Sequence, residues 1–180
     1  MERKLLAVVA ADMVGFSRLV ENDEISILSR QKEYFTEIIK PQIEKFDGKI
    51  IKTTGDGFLA TFSSSLDAVE STTNIQKTIN LREKTQLNDK RIWFRIGINV
   101  GEVVLDDGDI FGNSVNIASR LESIADAGDV CITKDIFQNI KNLQSFDIRH
   151  LGEQQLKNIS QKVDVYKIKI NNEEYNQSKE

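Results

Sequence analysis

The sequence predicts an α+β fold: a ferredoxin-like or palm βαββαβ core with a mostly antiparallel sheet and additional C-terminal α/β elements. Three observations predict it. Residues 5–11 form a continuous apolar run, which is typical of a strand buried on both faces. A Gly-Asp-Gly turn joins two apolar runs between Lys49 and Phe62, and this pattern indicates a β-hairpin. In residues 91–100, "RIWFRIGINV", apolar side chains alternate strictly with more polar ones, as in a half-buried strand.

Two helices are predicted between these strands, which completes the order β, α, β-hairpin, α, β. Apolar residues recur at helical spacing from about Glu21 to Phe46, and Pro41 predicts a kink or a break within that segment. The segment from Ser63 to Lys84 repeats the helical spacing, and its first serines can cap the helix.

The C-terminal part is predicted to extend this core with two more helices and three more strands. The helices are expected over about 113–124 and up to about 142, and the strands over 130–133, 146–150 and 163–170. We therefore expect one domain over residues 1–170, followed by a frayed polar tail over residues 171–180.

Composition limits the partners and the compartment. The chain carries 28 acidic and 24 basic side chains, a balance that gives no electrostatic footprint for nucleic acid or an anionic membrane. No apolar run approaches the ~20 residues that span a bilayer, so no membrane segment is expected. Cys131 is the only cysteine, and we expect it to be buried core rather than a nucleophile. No internal disulfide can form, and the N-terminus is predicted to be a strand rather than a signal peptide. We therefore expect a cytoplasmic protein.

Two carboxylates are candidate metal ligands. Asp12 ends the first predicted strand, and Asp56 lies at the tip of the hairpin. The first strand and the hairpin are neighbours in a βαββαβ sheet, so both side chains are expected at one edge, where they would repel each other unless a cation neutralised them. Oxygen ligands without His or Cys favour Mg²⁺ or Mn²⁺. The alternative is that Asp12 caps the following segment and Asp56 serves the turn.

Two further segments carry candidate substrate-binding groups. In "MVGFS", Gly15 and Phe16 precede the predicted helix, which Ser17 could cap, and amides at a helix start bind phosphate. In "DIFGNSVNIASRL", Asn116 and Arg120 are four residues apart and share a helix face. An amide and a guanidinium in this register can clamp a developing phosphorane charge, and the alternative is an ordinary solvated helix face.

Five motifs in order resemble the catalytic domain of class III nucleotide cyclases, the adenylate and guanylate cyclase family. They are "AADMVGFSRL", "IIKTTGDGFLATF", "FRIGINVGEV", "GDIFGNSVNIASRLES" and "LGEQQLKNISQKVDVYKI", and they cover roughly residues 4–170. The resemblance implies an adenylate cyclase, which converts ATP to 3′,5′-cyclic AMP and pyrophosphate by in-line attack of the ribose 3′-OH on the α-phosphate. It also implies that Asp12 and Asp56 bind two Mg²⁺ or Mn²⁺ ions per site.

The same resemblance implies roles for four other residues. Lys52 and Asp109 would read the base, and a lysine donor with an aspartate acceptor is complementary to adenine, which points to ATP. Asn116 would orient the ribose, and Arg120 would stabilise the pentavalent phosphorus.

The resemblance implies that two chains share each active site. One chain supplies the metal ligands, and its partner supplies the lysine, aspartate, asparagine and arginine, so we expect a head-to-tail homodimer with two equivalent sites. The sequence departs from the family at Ile159, where many relatives have a triphosphate-binding lysine. Lys157 or Lys162 would have to substitute for it.

Two other functions remain open on the sequence. One is another palm-type nucleotidyl cyclase, such as a diguanylate cyclase, although the hairpin tip lacks the second acidic residue of those enzymes. The other is a catalytically weak nucleotide-binding sensor that only dimerises, and the full set of six site residues argues against it.

Overall fold

A computed structural model describes residues 1–143 and 145–172. The strands in this part of the chain are β1 (Glu2–Met13), β2 (Lys49–Thr53), β3 (Gly57–Phe62), β4 (Phe94–Asp106), β5 (Asp109–Phe111), β6 (Val130–Thr133), β7 (Ile148–Gln154) and β8 (Val163–Ile168). The α-helices are α1 (Phe16–Tyr34), α2 (Lys40–Lys45), α3 (Ser65–Glu83), α4 (Asn113–Ile124) and α5 (Lys134–Ile140). None of these helices is long and apolar enough to cross a membrane.

The described strands form one sheet in the order β2-β3-β1-β4-β6-β8-β7, and β5 pairs with β4. β4 and β6 run parallel, whereas the other pairs are antiparallel. The first four strands, together with α1 and α3, form the predicted βαββαβ core. The mostly antiparallel sheet and its C-terminal additions therefore confirm the predicted α+β fold class.

Several element boundaries differ from the prediction. α1 begins at Phe16, well before the expected Glu21, and β4 continues to Asp106, beyond the strictly alternating segment. β7 lies at Ile148–Gln154, later than the predicted 146–150. Most of the predicted polar tail lies outside the described residues.

The expected helix irregularity lies next to Pro41. Residues Phe35–Ile39 form a π-helical turn between α1 and α2. Proline has no N–H to donate and its ring clashes with the carbonyl one turn earlier, so regular α-helical bonding cannot pass through it. The structure thus has a π-helical turn where a kink or a break was predicted, and Asp23, at φ −158°, adds a second irregularity within α1.

Strand β1 is buried on both faces because helices cover both sides of the sheet. Ala7 and Val9 belong to a core with residues of α1 and α3, whereas Leu6 and Val8 pack with Ala118 of α4 on the opposite side. The helices of the βαββαβ core thus share one face, and α4 covers the other.

Helix α4 lies directly against the backbone of β4. A Cβ atom on Gly97 of β4 would lie 2.4 Å from the Glu122 nitrogen and 2.5 Å from the Ala118 oxygen. Only glycine leaves room for this approach, and it brings the C-terminal half of α4 onto the sheet. Cys131 of β6 is buried under the same helix, and burial raises the pKa of its thiol to about 12, in agreement with a core role.

A buried carboxylate, which sequence patterning did not reveal, joins α1, α3 and the start of β4. Glu83 is 1% exposed and accepts hydrogen bonds from the Tyr34 hydroxyl, from Arg30 at 2.5 Å and from the Ile92 amide at 2.6 Å. Burial, and then the hydrogen bond to Glu83, raise the pKa of Tyr34 well above its usual value. Three donors thus satisfy a charge that would otherwise be costly to bury.

Replacing Glu83 by alanine is expected to lower the free energy of unfolding by about 3 kcal/mol or more, because it leaves a buried arginine, a hydroxyl and an amide without their acceptor. Urea unfolding measures this loss. The matched control is Glu33→Ala, which removes a half-exposed carboxylate 3.7 Å from Arg82 and is expected to change stability little. Equal effects of the two substitutions would contradict the prediction.

Candidate active site

The two predicted metal ligands lie beside one open cavity. Asp12 is paired in register with Gly57, and the Met13 amide donates a 2.8 Å hydrogen bond to the Asp56 carbonyl. Both aspartates line a cavity of about 520 Å³, here called the carboxylate cavity, together with the start of α1. The structure therefore brings Asp12 and Asp56 together at the edge where the sequence predicted them.

The N-terminus of α1 opens into the carboxylate cavity. Gly15 precedes the helix in the left-handed region, with φ 61° and ψ 34°, and among the described residues no side chain caps the helix. Gly15, Phe16 and Ser17 all line the cavity. Ser17 lies inside the first turn rather than at the cap, so the expectation that it caps α1 is wrong. The first amides of the helix are left for water or for an anion.

Arg95 is a cavity residue that the sequence analysis missed. It lies on β4 opposite Asp12, and its Nε is 3.4 Å from Asp12 Oδ1 and 3.5 Å from Glu122 Oε1. It also donates a 3.2 Å hydrogen bond to the Ser123 carbonyl at the end of α4. Its polar position in an alternating strand was visible, but the register that places it beside Asp12 was not.

Glu122 is a second missed residue. It is 7% exposed, and its Oε1 atom has no hydrogen-bond partner among the described residues. Burial, and then the neighbouring Asp12 carboxylate, raise the pKa of Glu122 to about 9, an effect that Arg95 partly offsets. This buried carboxyl group beside Asp12 and Arg95 thus favours the protonated form at neutral pH.

The predicted base-reading residues form an ion pair away from this cavity. Lys52 on β2 lies 3.0 Å from Asp109 on β5. The Ile110 amide, which donates to Asp109 at 2.8 Å, and then Lys52 lower the pKa of this carboxyl group. Neither residue of the Lys52–Asp109 pair lines the carboxylate cavity.

Asn116 and Arg120 lie on α4 and also do not line the carboxylate cavity. Asn116 is exposed and Arg120 is half-buried, and neither side chain forms a hydrogen bond or an ion pair with residues 1–143 or 145–172. Within one chain the predicted site residues therefore lie in separate places. The two carboxylates and the N-terminus of α1 line the carboxylate cavity, whereas the other predicted site residues do not.

Strands β7 and β8 form an antiparallel hairpin, here called the closing hairpin, and its loop has Ile159 at the position where many relatives have a lysine. Ile159 is 5% exposed and packs with Leu121 and Val165. Lys157 and Lys162 are both exposed on the surface. Ile159 is thus a core residue, and the loop itself is held by apolar packing.

The carboxylate cavity fits a hard divalent cation. Within the described chain, no group of three or more His, Cys, Asp or Glu side chains could hold a metal ion, so the protein itself offers the two carboxylates Asp12 and Asp56. Mg²⁺ and Mn²⁺ are often bound by one or two carboxylates, with water and phosphate oxygens completing the shell. The donor set is therefore compatible with metal-bound phosphate.

A palm-type sheet that presents two carboxylates beside an open helix N-terminus is the arrangement of a phosphate-processing catalytic domain. The chain belongs to the family of adenylate and guanylate cyclase catalytic domains, whose model matches residues 2–170. The resemblance inferred from the five sequence motifs is thereby confirmed.

Two curated relatives show what this chain is similar to. It is 35% identical over 164 residues to a putative adenylate cyclase 3 of Rhizobium meliloti, covering 91% of this chain and 28% of that protein. It is also 35% identical over 120 residues to an adenylate cyclase of Streptomyces coelicolor, covering 67% and 30%. The chain thus spans about three-tenths of the length of these relatives.

Two solved structures share the fold. An adenylate/guanylate cyclase/hydrolase from Silicibacter pomeroyi superposes with a TM-score of 0.86 at 43% identity, covering 93% of this chain and 98% of that one. The adenylyl cyclase CyaB from P. aeruginosa superposes with a TM-score of 0.81 at 26% identity, covering 93% and 94%. These similarities support a cyclase enzyme.

In the metal-free protein, Glu122 is expected to make stability fall as the pH rises. Its pKa is raised on folding from an ordinary 4.5 to about 9, so its contribution is complete below the lower value and is lost as the pH approaches the upper one. Urea unfolding at about pH 5.5 and about pH 8.5 measures this fall, which Glu122→Gln should largely remove. The exposed Glu102→Gln variant is the control, and an unchanged fall in Glu122→Gln would contradict the assignment.

Proposed function

We propose that this chain is an adenylate cyclase domain, which converts ATP to 3′,5′-cyclic AMP and pyrophosphate. The observation that carries the proposal is the carboxylate cavity, in which Asp12 and Asp56 lie beside the uncapped N-terminus of α1 in a chain of the cyclase family. Metal-bound polyphosphate is the ligand that this combination of two carboxylates and open helix amides suits best.

The residues of the cavity divide the work on the phosphates. Two Mg²⁺ or Mn²⁺ ions held by Asp12 and Asp56 would supply activation of the ribose 3′-OH and charge neutralisation of the phosphates. The first amides of α1, at Gly15 and Phe16, would bind phosphate oxygens through the positive end of the helix. Arg95 would approach the same phosphates from β4. No protein nucleophile is required for in-line attack of the 3′-OH on the α-phosphate.

Base selection is assigned to the Lys52–Asp109 pair. Adenine presents a ring-nitrogen acceptor beside an amino donor, and an ammonium beside a carboxylate is complementary to both. The two side chains already lie 3.0 Å apart, so the donor and the acceptor are positioned before the base arrives. This preorganisation favours adenine over guanine, whose corresponding edge has the opposite polarity.

The separation of the site residues within one chain supports a shared site. The carboxylate cavity lacks the Lys52–Asp109 pair, Asn116 and Arg120, which a second copy of the chain would supply. We therefore propose a head-to-tail homodimer with two equivalent sites. In it, the partner's Asn116 would orient the ribose and the partner's Arg120 would stabilise the charge on the pentavalent phosphorus.

Complementation tests the shared site directly. Asp56→Ala and Arg120→Ala are each expected to lose at least about a hundredfold in turnover with MnATP, because each removes a group that acts on the reacting phosphate. A mixture of the two variants should regain activity, since a heterodimer contains one site with neither substitution. Cyclic AMP production measures the recovery.

The outcomes separate the alternatives. If the wild type produces cyclic AMP and the mixture stays inactive, the two halves of the site do not come from different chains. A wild type that binds ATP in the presence of Mn²⁺ and makes no cyclic nucleotide from any nucleoside triphosphate would instead be a nucleotide-binding sensor.

Competition between ATP and GTP tests the assignment of Lys52 and Asp109. The wild type is expected to prefer ATP by at least about tenfold, because GTP would leave the ion pair facing mismatched groups. Asp109→Asn should reduce this preference while keeping the size of the side chain. Asp106→Asn, which neutralises an exposed carboxylate at the end of β4 outside the Lys52–Asp109 ion pair, serves as the control. Equal turnover of ATP and GTP by the wild type would overturn the assignment.

A further inference from the structure

Arg18 lies in the first turn of α1 and lines the carboxylate cavity together with Asp12 and Asp56. The resemblance to the cyclase family implied no role for Arg18. Its side chain is half-buried, so the guanidinium group has left bulk water in part while remaining next to the open cavity.

This guanidinium has no protein partner in the described chain. Its Nε atom is buried and donates to no carbonyl or carboxylate oxygen within hydrogen-bond distance, and Arg18 forms no ion pair with residues 1–143 or 145–172. Arg95, the other arginine that lines the cavity, differs in this respect because it contacts Asp12, Glu122 and the Ser123 carbonyl. Buried donors are almost always satisfied in proteins, so an arginine left without an acceptor at a cavity indicates an anionic ligand.

The position of Arg18 within its helix gives an independent argument. A cation in the first turn of a helix is unfavourable because the helix N-terminus is already positive. In α3, Ser64 caps the helix and Asp67 lies in the first turn, whereas the first turn of α5 has Lys134 beside Asp135 and that of α4 has no acidic residue. The first turn of α1 has no acidic residue and carries Arg18 instead. Such a violation of local helix preference is expected where a ligand, rather than the protein, supplies the opposite charge.

We propose that Arg18 binds the terminal phosphates of the nucleotide, and therefore the pyrophosphate product, as a substrate-binding residue of the carboxylate cavity. That the bound phosphates belong to a nucleotide rests on the proposed function. That Arg18 binds a phosphate anion does not. The planar guanidinium can donate two parallel hydrogen bonds to one phosphate group, next to the amides of the α1 N-terminus. The α-phosphate must remain accessible to the ribose 3′-OH, which leaves the phosphates beyond it for Arg18.

The proposed role of Arg18 would also compensate for the missing lysine in the closing hairpin. Ile159 is packed in the core and provides no cation at that loop. A positive charge from the first turn of α1 would serve the same anionic end of the substrate from within the chain that holds the two carboxylates.

Binding of inorganic polyphosphate tests the proposal without requiring turnover. Calorimetry at fixed Mg²⁺ measures the affinity of the wild type, Arg18→Gln and Arg18→Lys for tripolyphosphate, pyrophosphate and AMP. Arg149→Gln on β7 is the matched control, since it removes the same charge from an exposed arginine paired with Asp147. Trp93, the only tryptophan, packs with Val14 and Ala127 of the cavity wall, so its emission reports whether the ligand binds there.

Arg18→Gln is expected to weaken tripolyphosphate and pyrophosphate binding by at least about tenfold, because a charged, bidentate contact is lost. Arg18→Lys should recover part of this affinity, and AMP binding and thermal stability should stay unchanged. In an active enzyme, Arg18→Gln is also expected to raise KM for ATP and to weaken inhibition by pyrophosphate.

Equal tripolyphosphate affinity in Arg18→Gln and the wild type would overturn the proposal, as would a parallel loss of AMP binding and stability, which would mark Arg18 as structural. The result is independent of the catalytic proposal. If the wild type makes no cyclic nucleotide but Arg18→Gln still loses polyphosphate binding, the proposed function fails and the role of Arg18 stands.

Discussion

The close contact between β1 and the hairpin is the constraint on which the candidate site depends. A Cβ atom on Gly57 would lie 1.8 Å from the Ala11 carbonyl oxygen, so the backbones of β3 and β1 meet at a distance that only glycine permits. Next to this contact, the Met13 amide donates to the Asp56 carbonyl. Backbone hydrogen bonds thus hold Asp56 beside the end of β1, where Asp12 lies. The sheet thus places the two carboxylates beside one cavity, where, under the proposed function, a divalent cation would offset their like charges.

Two ionisable side chains from other elements lie close to Asp12. Arg95 approaches Asp12 from β4, and Glu122 approaches both from α4, which reaches this position because Gly97 leaves room for its backbone. Three ionisable groups from three elements are therefore partly desolvated together. Burial, and then the Asp12 carboxylate, raise the pKa of Glu122 to about 9, so Glu122 adds little negative charge beside Asp12 at neutral pH. Occupation of the cavity by a cation and a polyphosphate would change the charge that each of these side chains meets.

Much of this arrangement could be predicted, and the parts that could not share one cause. Periodicity predicted α4 at its observed bounds, and turn chemistry predicted the hairpin that carries Asp56. The family pattern implied that Lys52 and Asp109 read the base together, but it did not predict the ion pair that these residues, 57 positions apart, form in the structure. Arg95 and Glu122 were missed because nothing in the local sequence reveals which residue of β4 lies opposite Asp12. The Glu83 network was missed for a similar reason, since an acidic residue near the end of α3 looks like an ordinary surface position.

The sequence by itself determined the order of helices and strands and the family, and it singled out Asp12 and Asp56 as candidate metal ligands. These depend on local periodicity, turn residues and motifs that short segments carry. The tertiary structure alone decided the register between strands, the depth to which α4 enters the sheet and the burial of Glu83 and Glu122. It also decided that Arg18 lines the carboxylate cavity without an acceptor among the residues that the structure describes. These features arise when distant segments pack against each other, and close packing and desolvation are properties of the assembled chain rather than of any one segment.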